Sequence, residues 1–113
     1  MTLSQRQSIF TFNVHKLIEF AYKIGFTLTF GEVFRTAEQQ TIYVNTGRSK
    51  TMNSMHLQRL AVDFNLFING ELTNDPAKFK ELGDYWKLLN TANRWGGDFK
   101  TLSDPYHFEM QNK

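Results

Sequence analysis

Cysteine is absent from this chain. That one absence removes disulfides, zinc–thiolate sites and cysteine nucleophiles together, so any bound metal must rely on histidine and carboxylate. A donor set of that kind shifts the expectation from a structural to a catalytic metal centre. No hydrophobic run approaches the length of a membrane span, and no membrane insertion is expected. The N-terminus, Met1-Thr2-Leu3-Ser4-Gln5-Arg6-Gln7, leads into an interrupted apolar pattern without a signal-peptide core, so the chain is expected to stay in the cytoplasm where it is made. Clustered basic charge is missing as well: the 13 Lys and Arg are scattered, the net charge is +2, and nothing suggests a nucleic-acid partner. Repeats, linkers and low-complexity segments are not seen. One domain over residues 1–113, working as a monomer, is the expectation.

Aromatic residues are plentiful. They make up 15% of the chain, eleven of them Phe, enough for a core without covalent staples. At this length roughly two-thirds of the unfolded surface can be buried. Trp86 and Trp95 read as core and loop packing, not as sugar-stacking platforms.

Ser4 followed by Gln7 is a capping-box pattern, and Ile9, Phe10, Val14, Leu17, Ile18, Ala21 and Ile24 recur at helical spacing. The spacing predicts a helix over 5–24, stopped by Gly25. Phe26 to Arg35, rich in Thr, Phe and Val, reads as a strand. A short helix is expected from Ala37 to Asn45 and a loop from Arg48 to Asn53. Leu60, Val62, Phe64, Leu66 and Ile68 alternate with other residues in the clearest strand of the chain, and Asn69-Gly70 then signals a hairpin turn. Asn74-Asp75-Pro76 starts a helix whose apolar stripe is Phe79, Leu82, Trp86 and Leu89. Trp95 to Phe99 is expected as a loop, and Tyr106 to Met110 as a final strand. These elements imply an α+β domain, a small antiparallel sheet flanked by helices.

Only three histidines exist, and two lie in short stretches that carry carboxylates: Ser54-Met55-His56 through Asp63, and Asp104-Pro105-Tyr106-His107-Phe108-Glu109. His15 falls in the first helix and is read as structural or surface. Alternation places Leu60, Val62 and Phe64 toward the core and Asp63 on the opposite face, beside the small Ala61. Likewise Tyr106 and Phe108 take the core face while His107 and Glu109 take the other. If the two strands are neighbours, Asp63 and His107 meet over one open face, and His56 can fold back to complete a triplet. Two imidazoles and one carboxylate with a vertex left open are what catalytic Zn2+ requires. Asp104, biased to extended backbone by Pro105, lies at the entry to the last strand and off the His107 row. That offset suits a general base that touches water without ligating metal. Glu109 either orients a ligand from behind or is simply solvated.

Four pieces in this order resemble the zinc D-alanyl-D-alanine carboxypeptidases and L-alanyl-D-glutamate endopeptidases, which include phage lysins acting on peptidoglycan. They are Arg35-Thr36-Ala37-Glu38-Gln39, Ser54-x-His56 to Ala61-x-Asp63, Trp95-Gly96-Gly97-Asp98-Phe99, and Asp104-x-x-His107-Phe108-Glu109. The resemblance implies a hedgehog/D-Ala-D-Ala-peptidase-like fold, with His56, Asp63 and His107 as zinc ligands and Asp104 as general base. It implies that Arg35 assists substrate binding and stabilises the developing oxyanion, and that Ser54 sits near the substrate. A surface pair of Arg35 with Glu38 and a turn role for Ser54 are the plain alternatives. The implied substrate is a peptidoglycan stem peptide, cut at L-alanyl-D-glutamate by an enzyme released from a phage host's cytoplasm. A D-alanyl-D-alanine carboxypeptidase or dipeptidase, or a zinc domain kept only for binding, are the rivals. Where the family often has glycine this chain has Arg59, which implies an altered turn and an extra cation in the cleft.

Overall fold

A computed structural model of the chain describes residues 1–49 and 51–112; Lys50, inside the expected 48–53 loop, lies outside the described residues, as does Lys113. The first helix, α1 (Leu3–Lys23), is capped earlier than Ser4 suggests. Thr2 Oγ1 accepts from the Gln5 amide at 3.1 Å and Gln5 Oε1 accepts from the Thr2 amide at 2.8 Å, so the capping box is Thr2/Gln5. Gly25, at φ 86°, takes the left-handed conformation that ends the helix.

The strands are β1 (Phe26–Phe30), β2 (Ala61–Ile68), β3 (Glu71–Thr73), β4 (Asn93–Trp95) and β5 (His107–Met110). The path is β1-β2-β5-β4, with β3 also paired to β2, and every pairing is antiparallel. β2 is long enough to serve two ends of the molecule. Its C-terminal half pairs with β1 and β3, and its first three residues pair with β5. Asn69 and Gly70, at φ 53° and 79°, form the expected two-residue turn into β3. The remaining helices are α2 (Ala37–Asn45) and α3 (Pro76–Leu89), the latter capped by Asp75 with proline at its start, as its sequence predicts.

Alternation along β2 and β5 puts Val62, Phe64, Leu66, Phe108 and Met110 into one buried cluster with Phe10 and Leu17 of α1 and Phe79, Leu82 and Trp86 of α3. Burying each such side chain contributes about 1.5–3 kcal/mol. Trp86 also ties the helix to the sheet, its indole N–H lying 3.1 Å from the Arg94 carbonyl and 3.0 Å from that of Glu109.

Three boundaries differ from expectation. The strand beginning at Phe26 ends at Phe30 and not at Arg35, because Gly31 and Glu32 both stand against Asp63 of β2, a bulge that breaks the ladder. There the Gly31 amide donates to the Asp63 carbonyl at 2.7 Å and the Asp63 amide to the Glu32 carbonyl at 2.8 Å. A Cβ on Gly31 would lie 3.1 Å from Asp63, so the close approach favours glycine. Second, Trp95 belongs to β4, and only Gly96–Asp98 forms the connecting 3₁₀ turn. Third, all four residues of β5 are buried, so His107 and Glu109 do not face open solvent despite their polarity. β3 and β4, three residues each, are too short to leave a periodic signal in sequence.

Gly83 shows how tightly α3 meets β4: an added Cβ would fall 2.2 Å from the Trp95 ring. Gly83→Ala should therefore destabilise the fold by about 1–3 kcal/mol from overpacking, outweighing the gain of about 1 kcal/mol in helix propensity. Urea denaturation measures it, and a stabilised variant would contradict this packing.

Candidate metal centre

The register of β2 with β5 sets Asp63 directly opposite His107. His56 arrives from a separate 3₁₀ turn, Met55–Gln58, capped by the Ser54 hydroxyl. One ligand atom from each of His56, Asp63 and His107 lies within 4.8 Å of the other two. Asp63 Oδ1 sits at the middle, 3.2 Å from His56 Nε2 and 3.2 Å from His107 Nδ1.

Each imidazole is oriented by its other nitrogen. His56 Nδ1 lies 2.8 Å from the Val33 carbonyl, which as an acceptor makes Nδ1 the protonated nitrogen and turns Nε2 toward Asp63. His107 Nε2 lies 2.7 Å from Glu109 Oε1, turning Nδ1 toward the same point. His56 is only 1% exposed, and its Nε2 is a buried polar atom without a hydrogen-bond partner. A buried lone pair aimed at a carboxylate and a second imidazole fits a divalent cation, and two nitrogens plus one oxygen without sulfur suit zinc.

A strap over residues 31–36 holds this arrangement from above. Besides its two bonds to Asp63, it supplies the Val33 carbonyl to His56, and the Arg35 amide donates to the His56 carbonyl at 3.3 Å. Arg59 secures the strap by placing its guanidinium over the Phe34 ring, 4.1 Å from the centroid. Its backbone, at φ 55°, keeps the left-handed turn that glycine would adopt without strain. The implied extra cleft cation is not found: Arg59 does not line the cleft, and its guanidinium is spent on Phe34.

Beside the triplet opens a cleft of about 330 Å³ whose lining includes Ser54, Arg94, Asp104, His107 and Glu109. Asp104 is placed by glycine. A Cβ on Gly96 would come within 2.2 Å of the Asp104 carbonyl oxygen and 2.8 Å of His107 Cβ. The Asp104 amide donates to the Gly96 carbonyl at 2.9 Å, and its Oδ1 accepts from the Tyr106 amide at 3.1 Å. The Trp-Gly-Gly segment is therefore a bed for Asp104 and His107.

Arg35 is not among the residues lining that cleft. It pairs with Glu32, not with Glu38, and donates from Nη1 to Gln40 Oε1 at 2.7 Å and to Ser54 Oγ at 3.3 Å. Ser54 thus combines capping of the His56 turn with a place on the cleft wall. Glu32, Gln40 and the Val33 carbonyl escaped sequence reasoning, since a backbone carbonyl leaves no residue signature and Glu32 reads as an ordinary strand residue.

Charges are strongly coupled here. Burial alone would raise the Asp63 carboxyl, but the hydrogen bond with His107 and the two neighbouring imidazoles hold it at about 2. His107 is opposed by burial yet raised to about 9 by Asp63 and Glu109. Asp104 is shifted upward by burial and by the neighbouring Asp63 charge.

An α+β fold of this topology with a His/Asp/His cluster in an open cleft defines a class of candidate metallohydrolases. The peptidase M15 family model described as D-alanyl-D-alanine carboxypeptidase matches residues 47–110, and the chain belongs to that family. It is 32% identical over 100 residues to the L-alanyl-D-glutamate peptidase of Listeria phage A118, covering 87% of this chain and 35% of that protein. The chain thus spans about a third of the curated relative it matches. Among solved structures it is similar to the L-Ala D-Glu endopeptidase ChiX of Serratia marcescens, with a TM-score of 0.70, 25% identity, and coverage of 84% of this chain and 75% of that one. It also shares its fold with a Zn(II)-bound mutant of the vancomycin-resistance D,D-pentapeptidase VanY, with a TM-score of 0.61, 17% identity, and coverage of 89% and 70%.

The raised His107 pKa has a measurable consequence. At pH 7.5 the metal-free imidazole is protonated, whereas a ligand nitrogen must be free. Titration with Zn2+ should release about one proton from His107, and that release should vanish above pH 10. Calorimetry in buffers of differing ionisation enthalpy measures it; zinc uptake at pH 7.5 without proton release would contradict the raised His107 pKa.

Proposed function

We propose that the chain is a zinc-dependent peptidase of peptidoglycan stem peptides, hydrolysing the L-alanyl-D-glutamate bond. The observation that carries the reading is the convergence of His56, Asp63 and His107 within 4.8 Å beside a cleft that Asp104 also lines. His56 Nε2, Asp63 Oδ1 and His107 Nδ1 are the atoms that would hold zinc. When bound, zinc polarises the scissile carbonyl and lowers the pKa of a water toward about 7.

Asp104 accepts the water's proton as its oxygen bonds to the carbonyl carbon, then delivers a proton to the leaving amine as the C–N bond breaks. Its upward-shifted pKa suits a group that must both take and return a proton. Ser54 offers its hydroxyl to the substrate from the cleft wall. Arg35 acts alongside it: its guanidinium, held by Glu32 and Gln40, adds positive charge behind Ser54 where negative charge develops on the carbonyl oxygen.

The choice of bond is supported by the activities named for the Listeria phage relative and the Serratia endopeptidase. The family model's own description favours a second reading, removal of terminal D-alanine. The phage origin of the Listeria relative supports a setting in which this catalytic domain, working as a monomer, is made in a bacterial host and reaches the wall after release. Among the described residues no helix is long and apolar enough to cross a membrane, and the net charge of +2 favours approach to an anionic wall.

Asp104→Asn should keep stoichiometric zinc and lose hydrolysis of purified peptidoglycan by about 10²–10⁴-fold, while His56→Ala should lose both. An active Asp104→Asn removes the base assignment, and a wild type that binds no zinc removes the reading entirely. New D-glutamate amino groups in the digest identify the endopeptidase; free D-alanine identifies the second reading.

A further inference from the structure

Against His107, on the cleft wall, lies a set of contacts that the proposed reaction leaves unused. Glu109 follows His107 by two residues on β5 and so shares its face. The strand registers place Glu109 between Ala61 of β2 and Arg94 of β4. Ala61 is too small to fill the space on that row, and the carboxylate occupies it. The Glu109 side chain is 7% exposed, and both its oxygens are engaged. Oε1 lies 2.7 Å from His107 Nε2, while Oε2 accepts from Arg94 Nε at 3.1 Å and is 3.0 Å from Arg94 Nη2. The Arg94 guanidinium sits over the Phe99 ring, 4.9 Å from its centroid, and Phe99 packs against the His107 ring at 5.8 Å.

We infer that Glu109, itself held by Arg94, is the positioning residue that directs His107 Nδ1 into the metal centre. A neutral imidazole has one N–H. With Nε2 facing a buried carboxylate that can only accept, the proton belongs on Nε2 and the lone pair on Nδ1. Without Glu109 the ring is free to reverse its tautomer, and the nitrogen facing Asp63 would then carry hydrogen. Arg94 has a separate duty. A carboxylate this deeply buried needs a countercharge beyond one neutral imidazole, and the guanidinium supplies it with two N–H groups while Phe99 fixes its plane. Although Arg94 is 49% exposed, its partner is not, so this pair differs from a rim ion pair of negligible worth. The arrangement also explains why two polar residues of β5 are buried.

The inference rests on the proposed metal reading, and zinc affinity separates the two. Dissociation constants would be measured by competition with a chromophoric chelator for the wild type, Glu109→Ala, Glu109→Gln and Arg94→Met. The imidazole ¹⁵N shifts of the zinc-loaded proteins would report the His107 tautomer. Glu109→Ala should weaken zinc about 10–100-fold and mix the tautomers. Glu109→Gln, which keeps an acceptor oxygen and the side-chain volume, should fold normally and fall between the wild type and Glu109→Ala. Arg94→Met should weaken zinc several-fold without touching a ligand. Affinities of all three variants within twofold of a tight-binding wild type, with the Nε2–H tautomer intact, would overturn the inference alone. A wild type without zinc affinity would overturn the metal reading and this inference with it.

Discussion

One carboxylate oxygen lies 3.2 Å from imidazole nitrogens on either side of it, and the rest of the site is organised by that contact. Asp63 is an anion on an otherwise apolar central strand, and burial of such a charge is costly unless cations or hydrogen-bond donors surround it. His107 supplies positive charge in the metal-free protein, with a pKa lifted to about 9. A divalent cation would replace that proton and satisfy His56 Nε2, which otherwise has no partner. The metal-free centre is therefore held together by a proton standing where a metal would contribute more.

Keeping three such groups together demands rigid backing. α1 and α3 supply it from one face of the sheet through the aromatic cluster around Trp86, whose indole also reaches the β4 and β5 backbones. Beside β2, continuing from β1, the 31–36 strap makes two backbone hydrogen bonds to Asp63 itself. Glycine makes both close approaches possible, Gly31 against Asp63 and Gly96 beneath Asp104. A side chain at Gly96 would displace Asp104 and His107 together, since the added Cβ would crowd both.

Arg59 shows how a family position tolerates change. Its left-handed backbone is unfavourable for a residue with a Cβ by about 1–2 kcal/mol, and its stacking on Phe34 contributes about 0.5–1 kcal/mol in return. The strap gains an anchor while the turn keeps its shape. Arg35 illustrates the converse. Its sequence match points to the reacting centre, yet the guanidinium is taken up by Glu32, Gln40 and Ser54 and does not line the cleft.

Periodicity made α1, α3 and the central strand legible, because each buries one regular face of its own residues, whereas α2, whose buried residue is Gln40, was legible only from its stop at Thr46-Gly47. Alternation likewise set Asp63 and His107 on a common face, and the scarcity of histidine with the absence of cysteine narrowed the donors to nitrogen and oxygen. The three-residue strands, the end of β1 at Phe30 and the burial of Glu109 were not legible, since each depends on a neighbour distant in the chain. Thr2 displaced Ser4 as the helix cap because Thr2-x-x-Gln5 meets the same capping-box pattern two residues earlier, its hydroxyl oxygen accepting from the Gln5 amide. The sequence by itself determined which side chains could bind a metal and which strand faces would carry them. Only the tertiary structure decided that the Val33 carbonyl and Glu109 take one nitrogen of each imidazole and leave the other facing Asp63, because backbone carbonyls and long-range strand registers leave no mark on local residue order.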